Sequence, residues 1–244
     1  MTTAPQYRYA LPQLSGQPML TDSGLETTLI FLDGLDLPCF ASFALLHGVD
    51  GAARLRAYFD RHAELAASRG VGFIADTPTW RASRDWGAKL GYTDESLDAA
   101  NRAAVAMMFD IREAWERPGT PVVVSGNIGP RGDGYSPERV MEADEAEAYH
   151  TAQVRTLADA GVDMITTMTM THVGEAVGIA RAAKSAGVPV SMGLTVETDG
   201  RLPTGQPLAE AIQAIEACGA APAYYMINCA HPDHFRDVLE EGGA

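Results

Sequence analysis

Ala160-Gly161-Val162-Asp163-Met164-Ile165-Thr166-Thr167-Met168 carries, in nine residues, the pattern from which the fold is read. A helical stretch ends, a glycine takes the left-handed position that closes a helix, and a β-branched residue opens an apolar run of strand length. The pattern recurs as Arg69-Gly70-Val71 and Ala186-Gly187-Val188, and less cleanly as Cys218-Gly219-Ala220. A strand is therefore expected after each glycine, over residues 71–76, 162–168, 188–196 and 223–228, and apolar runs at 18–22 and 121–125 add two more. Strands alternating with helices make βα units and a parallel sheet, which right-handed crossovers close into a barrel or leave as an open doubly wound sheet.

The intervening segments have helical periodicity. Leu55, Tyr58, Phe59, His62 and Leu65 form one apolar stripe, and Leu97, Ala100, Ala104, Val105, Met108 and Phe109 form another. Glu142, Asp144, Glu145 and Glu147 bunch at the start of a third helix, where carboxylates meet the positive end of the helix dipole. Residues 173–186 and 208–218 read as shorter helices. His62 and His150 fall inside helices and read as packed or surface histidines. Gly126-Asn127-Ile128-Gly129 lacks the spacing of a dinucleotide loop, and no Lys-Ser/Thr pair closes a phosphate loop, so the barrel is preferred to the open sheet. The fold class is α/β, of the (β/α)8 TIM-barrel type, with about six βα units. A sixth helix would end at or near Glu241-Gly242-Gly243-Ala244. The expectation is one barrel domain over residues 1–244, truncated before its last two βα units. Its open edges would favour pairing with another copy.

Composition narrows the function. A formal charge of −14 repels nucleic acid and anionic lipid. Residues 1–17 hold no signal-peptide core, and no run of apolar residues reaches the length of a membrane span, so a cytoplasmic protein is expected. Cys39, Cys218 and Cys229 form no CxxC pair and no disulfide framework. Lys89 and Lys184 stand away from strand ends, which argues against Schiff-base chemistry.

In parallel α/β folds ligands bind at the C-terminal ends of the strands. Those ends read Asp22-Ser23-Gly24-Leu25-Glu26-Thr27, Asp76-Thr77-Pro78-Thr79-Trp80, residues 125–130, Met168-Thr169-Met170-Thr171, Glu197-Thr198-Asp199-Gly200 and Asn228-Cys229. They would bring carboxylates, hydroxyls and one thiol to a single mouth. The last strand, Tyr224-Tyr225-Met226-Ile227, has no charge and reads as buried on both faces, and Pro232 suits the first turn of the helix that follows. By residue type alone, Cys229 can be a metal ligand, a nucleophile or a small core residue.

Asp22-Ser23-Gly24-Leu25-Glu26-Thr27, Gly129-Pro130, Gly200-Arg201-Leu202-Pro203-Thr204-Gly205 and Ile227-Asn228-Cys229, in this order, resemble the homocysteine S-methyltransferase family. The resemblance implies a (β/α)8 barrel that uses zinc to move a methyl group from a small, often cationic donor to the thiol of homocysteine or a related acceptor, as in methionine biosynthesis. It implies that Cys229 is a zinc ligand, that Asp22 meets the amino group of the acceptor, and that Gly24, Thr77 and Asn228 also bind substrate. Three departures accompany it. The adjacent cysteine pair that completes the family's zinc site does not occur in the sequence, Met168 stands where the family has a glutamate, and Ser23 replaces a glycine. His231 and His234 are spaced so that they could ligate, yet they read more simply as a helix start. The competing expectation is a catalytically silent barrel relative that binds a small ligand or a partner chain.

Overall fold

The computed structural model describes residues 4–137 and 140–240. Residues 241–244, where the sequence ends after its sixth long helix, lie outside them. The first half of the chain runs β1 (Met19–Thr21), α1 (Leu25–Thr27), α2 (Val49–Ser68), β2 (Gly72–Asp76), α3 (Arg84–Lys89), α4 (Asp94–Trp115) and β3 (Val122–Ile128). The second half runs α5 (Ala143–Ala160), β4 (Met164–Thr167), α6 (Val173–Ser185), β5 (Val190–Leu194), α7 (Leu208–Glu216), β6 (Tyr224–Ile227) and α8 (Pro232–Glu240). The strand order is β1-β2-β3-β4-β5-β6. This is the expected α/β fold of (β/α)8 barrel type, with six βα units among the described residues.

The glycines behave as their positions require. Gly70, Gly161, Gly187 and Gly219 have φ of 68°, 98°, 66° and 77°. The residue after each of the first three donates back into the helix, as from Val71 N to Ala66 O and from Val188 N to Ala183 O, both at 3.1 Å, so the helix ends and the next strand is aimed in one step.

β5 is shorter than expected, Val190–Leu194 against 188–196, and two other strands differ in ways that have a visible cause. β3 continues to Ile128 instead of stopping at Ser125. Gly126 stays in the strand because only a hydrogen fits there: a Cβ would lie 2.9 Å from Leu157 Cδ1 and 3.1 Å from Ile165 Cδ1. β6 is half-buried at all four positions instead of buried on both faces. It is last in the strand order, and β5 is the neighbour with which it pairs.

The chain forms two compact units, Met1–Asn127 with Thr156–Ile165, and Ile128–Arg155 with Thr166–Ala244. In the first, β1, β2 and β3 pair in parallel, with Met19 opposite Gly72 and Phe73 opposite Val122. Leu55, Phe59, Phe73, Met108 and Ile111 fill its core. A capping box, in which Thr93 and Ser96 bond each other's backbone, starts α4. In the second, β5 is fully buried and parallel to β6, with Gly193 opposite Met226. α6 lies against α5 at Gly178, where a Cβ would stand 2.5 Å from that of Ala146. No helix among the described residues is long and apolar enough to cross a membrane.

Candidate functional site

In the first unit the end of β1 carries a carboxylate cluster. The Tyr58 hydroxyl lies 3.0 Å from Asp22 Oδ2 and 2.8 Å from the Ser23 carbonyl oxygen, and one proton is shared between them. Tyr58 belongs to α2, whose apolar stripe turns it toward the strand end. His62, one turn later, places Nδ1 2.9 Å from the Tyr58 carbonyl oxygen, so Nδ1 holds the proton and Nε2 accepts from the Ser23 hydroxyl at 3.0 Å. Glu26 accepts from the Ser42 hydroxyl at 2.6 Å. The buried Arg81 guanidinium lies 3.8 Å from the ring centre of Trp80 and 3.9 Å from that of Trp86.

Burial holds the Asp22 carboxyl well above the usual range. The neighbouring charges of Asp76 and Glu26 push the same way, against the Tyr58 hydrogen bond. Burial also raises Glu26, with Ser42 and Arg81 pulling it down. A raised carboxyl binds more protons folded than unfolded, so its effect is absent below its ordinary value of 3.8 and costs stability as pH rises through the folded value. Asp22→Asn keeps the acceptor for Tyr58 and removes the charge. Its melting temperature should match the parent's at pH 3 and exceed it by about 2–4 °C or more at pH 8, in scanning calorimetry.

The expected substrate residues are placed as follows. Gly24 precedes α1, and a Cβ there would come within 3.2 Å of Thr27 Cβ. Thr77 is buried, and its oxygen accepts from Asn127 N at 2.9 Å and lies 2.6 Å from the Thr79 hydroxyl, which donates to Asn127 O at 2.6 Å. Thr77 thus fastens the end of β2 to β3. Cys39 is half-buried beside Ala41, Phe43, Ala82, Leu97 and Ala100, as a packing thiol.

In the second unit the end of β6 meets the end of β4. Cys229 is exposed, with φ 55°, and Thr169 is buried, with φ 65°. Asn228 joins them. Its Oδ1 accepts from Thr169 N at 3.0 Å, which turns Nδ2 toward Thr169 Oγ1 at 2.9 Å and Cys229 Sγ at 3.3 Å. The Thr169 hydroxyl in turn donates to the same sulfur at 3.4 Å. Gly193 on β5 leaves room for this amide, since a Cβ there would stand 2.9 Å from Asn228 Oδ1 and 2.2 Å from Thr167 O.

In the same unit, Glu175 is buried on α6. It accepts from Arg131 N at 2.7 Å and lies 2.9 Å from His150 Nε2. His172 Nε2 accepts from Met141 N at 3.0 Å. Both ends of the segment between β3 and α5 are so fixed to α6. Burial lowers the pKa of His172, which stays neutral and keeps the Met141 bond. His150 is the packed histidine expected. His231 and His234 flank the start of α8, which begins at Pro232 as the sequence indicated. Among the described residues no group of three or more His, Cys, Asp or Glu is placed to hold a metal ion.

Sequence reading pointed to Asp22, Gly24, Thr77, Asn228 and Cys229 and gave no role to Tyr58, Arg81, Thr169 or Glu175. The signal for Tyr58 was its place on the helix stripe nearest β1. For Thr169 it was a strand end facing the Asn-Cys pair.

Comparison with known proteins bears on this arrangement. The homocysteine S-methyltransferase family pattern matches residues 19–243. A search of curated protein sequences gave no match. Among solved structures, the metallated form of the Escherichia coli homocysteine methyltransferase MmuM superposes with a TM-score of 0.72 at 21% identity, over 90% of this chain and 77% of that one. Its apo form gives 0.68 at 19% identity, over 97% and 82%. At these identities the likeness is one of fold. The family pattern covers almost all of the sequence, and on that ground the chain belongs to the homocysteine S-methyltransferase family.

Proposed function

We propose that this protein transfers a methyl group from a small sulfonium or quaternary ammonium donor to the thiol of homocysteine or a related acceptor, with zinc bound through Cys229. The observation that carries the reading is the sulfur of Cys229, exposed at a strand C-terminus with two donors aimed at it. A metal-bound thiolate accepts such hydrogen bonds, so Cys229 fits as one zinc ligand. The described residues do not group the others. Zinc, when bound, supplies a charge that keeps an acceptor sulfur deprotonated at neutral pH.

The chain's own residues bind and orient. Asp22, ionised by the arrival of the acceptor's ammonium group, makes a charge-assisted hydrogen bond to it, and Gly24 and Thr77 shape the ground beside it. Asn228 holds the strand end that presents Cys229. In the transfer the acceptor sulfur forms a bond to the methyl carbon while the donor's bond to that carbon breaks. The donor leaves as a neutral thioether or tertiary amine with the electron pair, and the thiol proton passes to solvent. Alignment of the two reactants supplies the larger part of the rate gain.

The test is methyl transfer from S-methylmethionine or betaine to homocysteine, followed by mass spectrometry of the methylated thiol. Transfer is expected with at least one donor, and Asp22→Asn should raise the acceptor KM about tenfold or more at pH 8. A second reading, a silent relative that only binds, is favoured by Met168 in place of an acidic residue. It predicts acceptor binding with no turnover by any donor.

A further inference from the structure

The Tyr58 hydroxyl has one proton and two acceptors, Ser23 O at 2.8 Å and Asp22 Oδ2 at 3.0 Å. A phenol oxygen also accepts, so these three atoms fit either form of the acid. When the carboxyl is neutral, it donates to the phenol oxygen and the phenol proton goes to the Ser23 carbonyl. When the carboxyl is ionised, the same proton turns to Oδ2. The change moves hydrogens and leaves the heavy atoms where they are. Burial and the neighbouring Asp22 charge hold the Tyr58 phenol above its ordinary range, so that proton stays on it.

The ring that carries the hydroxyl is fixed. Tyr58 is 1% exposed, edge-on to Phe59 with ring centres 5.3 Å apart and tilted against His62 at 4.5 Å. His62 accepts from the Ser23 hydroxyl, so α2 ties down both the backbone and the side chain of the residue that follows Asp22. The other charges acting on the Asp22 carboxyl are negative, Asp76 at the end of β2 and Glu26 on α1, while Arg81 acts on Glu26. Tyr58 is thus the side chain that favours the ionised form where burial and both neighbouring carboxylates oppose it.

We propose that Tyr58 is a positioning residue for Asp22, its phenol holding the carboxyl in one place through both protonation states and supporting the ionised one, so that the acceptor's ammonium group meets an anchor already aimed. The inference rests on the reading of Asp22 as that anchor and adds the residue that keeps it in place. Tyr58 acts through Asp22 and is not itself a catalytic residue.

The experiment uses the full chain and homocysteine alone as the probe, with Kd read by titration calorimetry at pH 5 and pH 8.5. Tyr58→Phe keeps the ring and removes the hydroxyl. A hydrogen bond to the charged form is stronger than one to the neutral form, so its loss raises the carboxyl further. Binding should weaken about tenfold at pH 5, where fewer of the variant's carboxyls are ionised, and by less at pH 8.5. Melting temperature gives a readout that needs no ligand. The deficit of Tyr58→Phe against the parent should be larger at pH 8 than at pH 3, because a carboxyl raised further costs more stability as pH rises through its folded value. In an Asp22→Asn background the deficit from Tyr58→Phe should be the same at both pH values. A merely structural role would give a loss that does not depend on pH or on Asp22.

Equal losses at the two pH values in either measurement overturn the proposal, as does a double variant whose deficit widens like that of Tyr58→Phe. If Tyr58→Phe does not fold, the double variant decides: a folded double variant traces the failure to the Asp22 charge and supports the proposal, and an unfolded one overturns it. If the parent binds no homocysteine, or if Asp22→Asn binds it as the parent does, the reading of Asp22 falls and this inference with it. If Asp22→Asn loses binding and Tyr58→Phe keeps it at both pH values, only the inference falls.

Discussion

Asp163→Ala is expected to cost the folded protein at least about 4 kcal/mol, enough to leave little native material against a typical total of about 5–15 kcal/mol. Asp163 is fully buried at the turn between α5 and β4. Its Oδ1 accepts from Gln6 N at 2.6 Å and Tyr7 N at 2.8 Å, and its Oδ2 accepts from Val124 N at 2.9 Å and from the guanidinium of Arg112. Arg112 is itself 7% exposed and donates from Nε to Val122 O at 2.8 Å.

Removing the carboxylate strands a buried cation, which by itself costs about 3–5 kcal/mol, and leaves up to three backbone N–H groups without acceptors at about 1–3 kcal/mol each. Water reaching the N-terminal segment would recover part of this, so the lower figure is the firm one. Urea denaturation followed by circular dichroism measures it. Asp163→Asn, which keeps two acceptor lone pairs but not the charge, should fall between the two. A loss below about 1 kcal/mol in Asp163→Ala would show that this hub does not hold the first unit together.

Cys229→Ser is expected to lower methyl transfer at least about a hundredfold while shifting the melting temperature by no more than about 2 °C. The two halves of the expectation have different causes. Cys229 is exposed, and its sulfur accepts hydrogen bonds without filling a core, so a serine hydroxyl of similar size leaves the packing of β6 and α8 unchanged. An alcohol, however, is a far poorer soft-metal ligand than a thiolate. Initial rates at saturating donor, with zinc measured by mass spectrometry on the same sample, test both halves. Full activity in the serine variant would remove the sulfur from the mechanism. A large drop in melting temperature with the activity would instead assign it to packing.

The extent to which the site was legible follows from the reach of each interaction. Asp22 and Cys229 could be singled out because a strand end and its flanking residues lie within a few positions of each other in the chain. Their environments could not. The Asp22 carboxyl is raised by burial and by Asp76, 54 residues away, and pulled back by the hydrogen bond from Tyr58, 36 residues away. The partners of Cys229 include Thr169, 60 residues away. The half-burial of β6 was misjudged for a related reason, since an uncharged run says that a strand tolerates burial on both faces, not that a neighbour covers each.

The sequence by itself determined the alternation of helix and strand. Gly70, Gly161 and Gly187 each act on the two or three residues next to them, through a left-handed turn that L side chains avoid and a bond back into the preceding helix. The family motifs likewise lie within single loops. Only the tertiary structure decided that Asp163 gathers four donors, that Gly126 belongs inside a strand, and that Thr169 and Asn228 converge on one sulfur. Each of these rests on a close approach between segments far apart in the chain. Such an approach is set by the packing of the whole unit, and no local propensity encodes it.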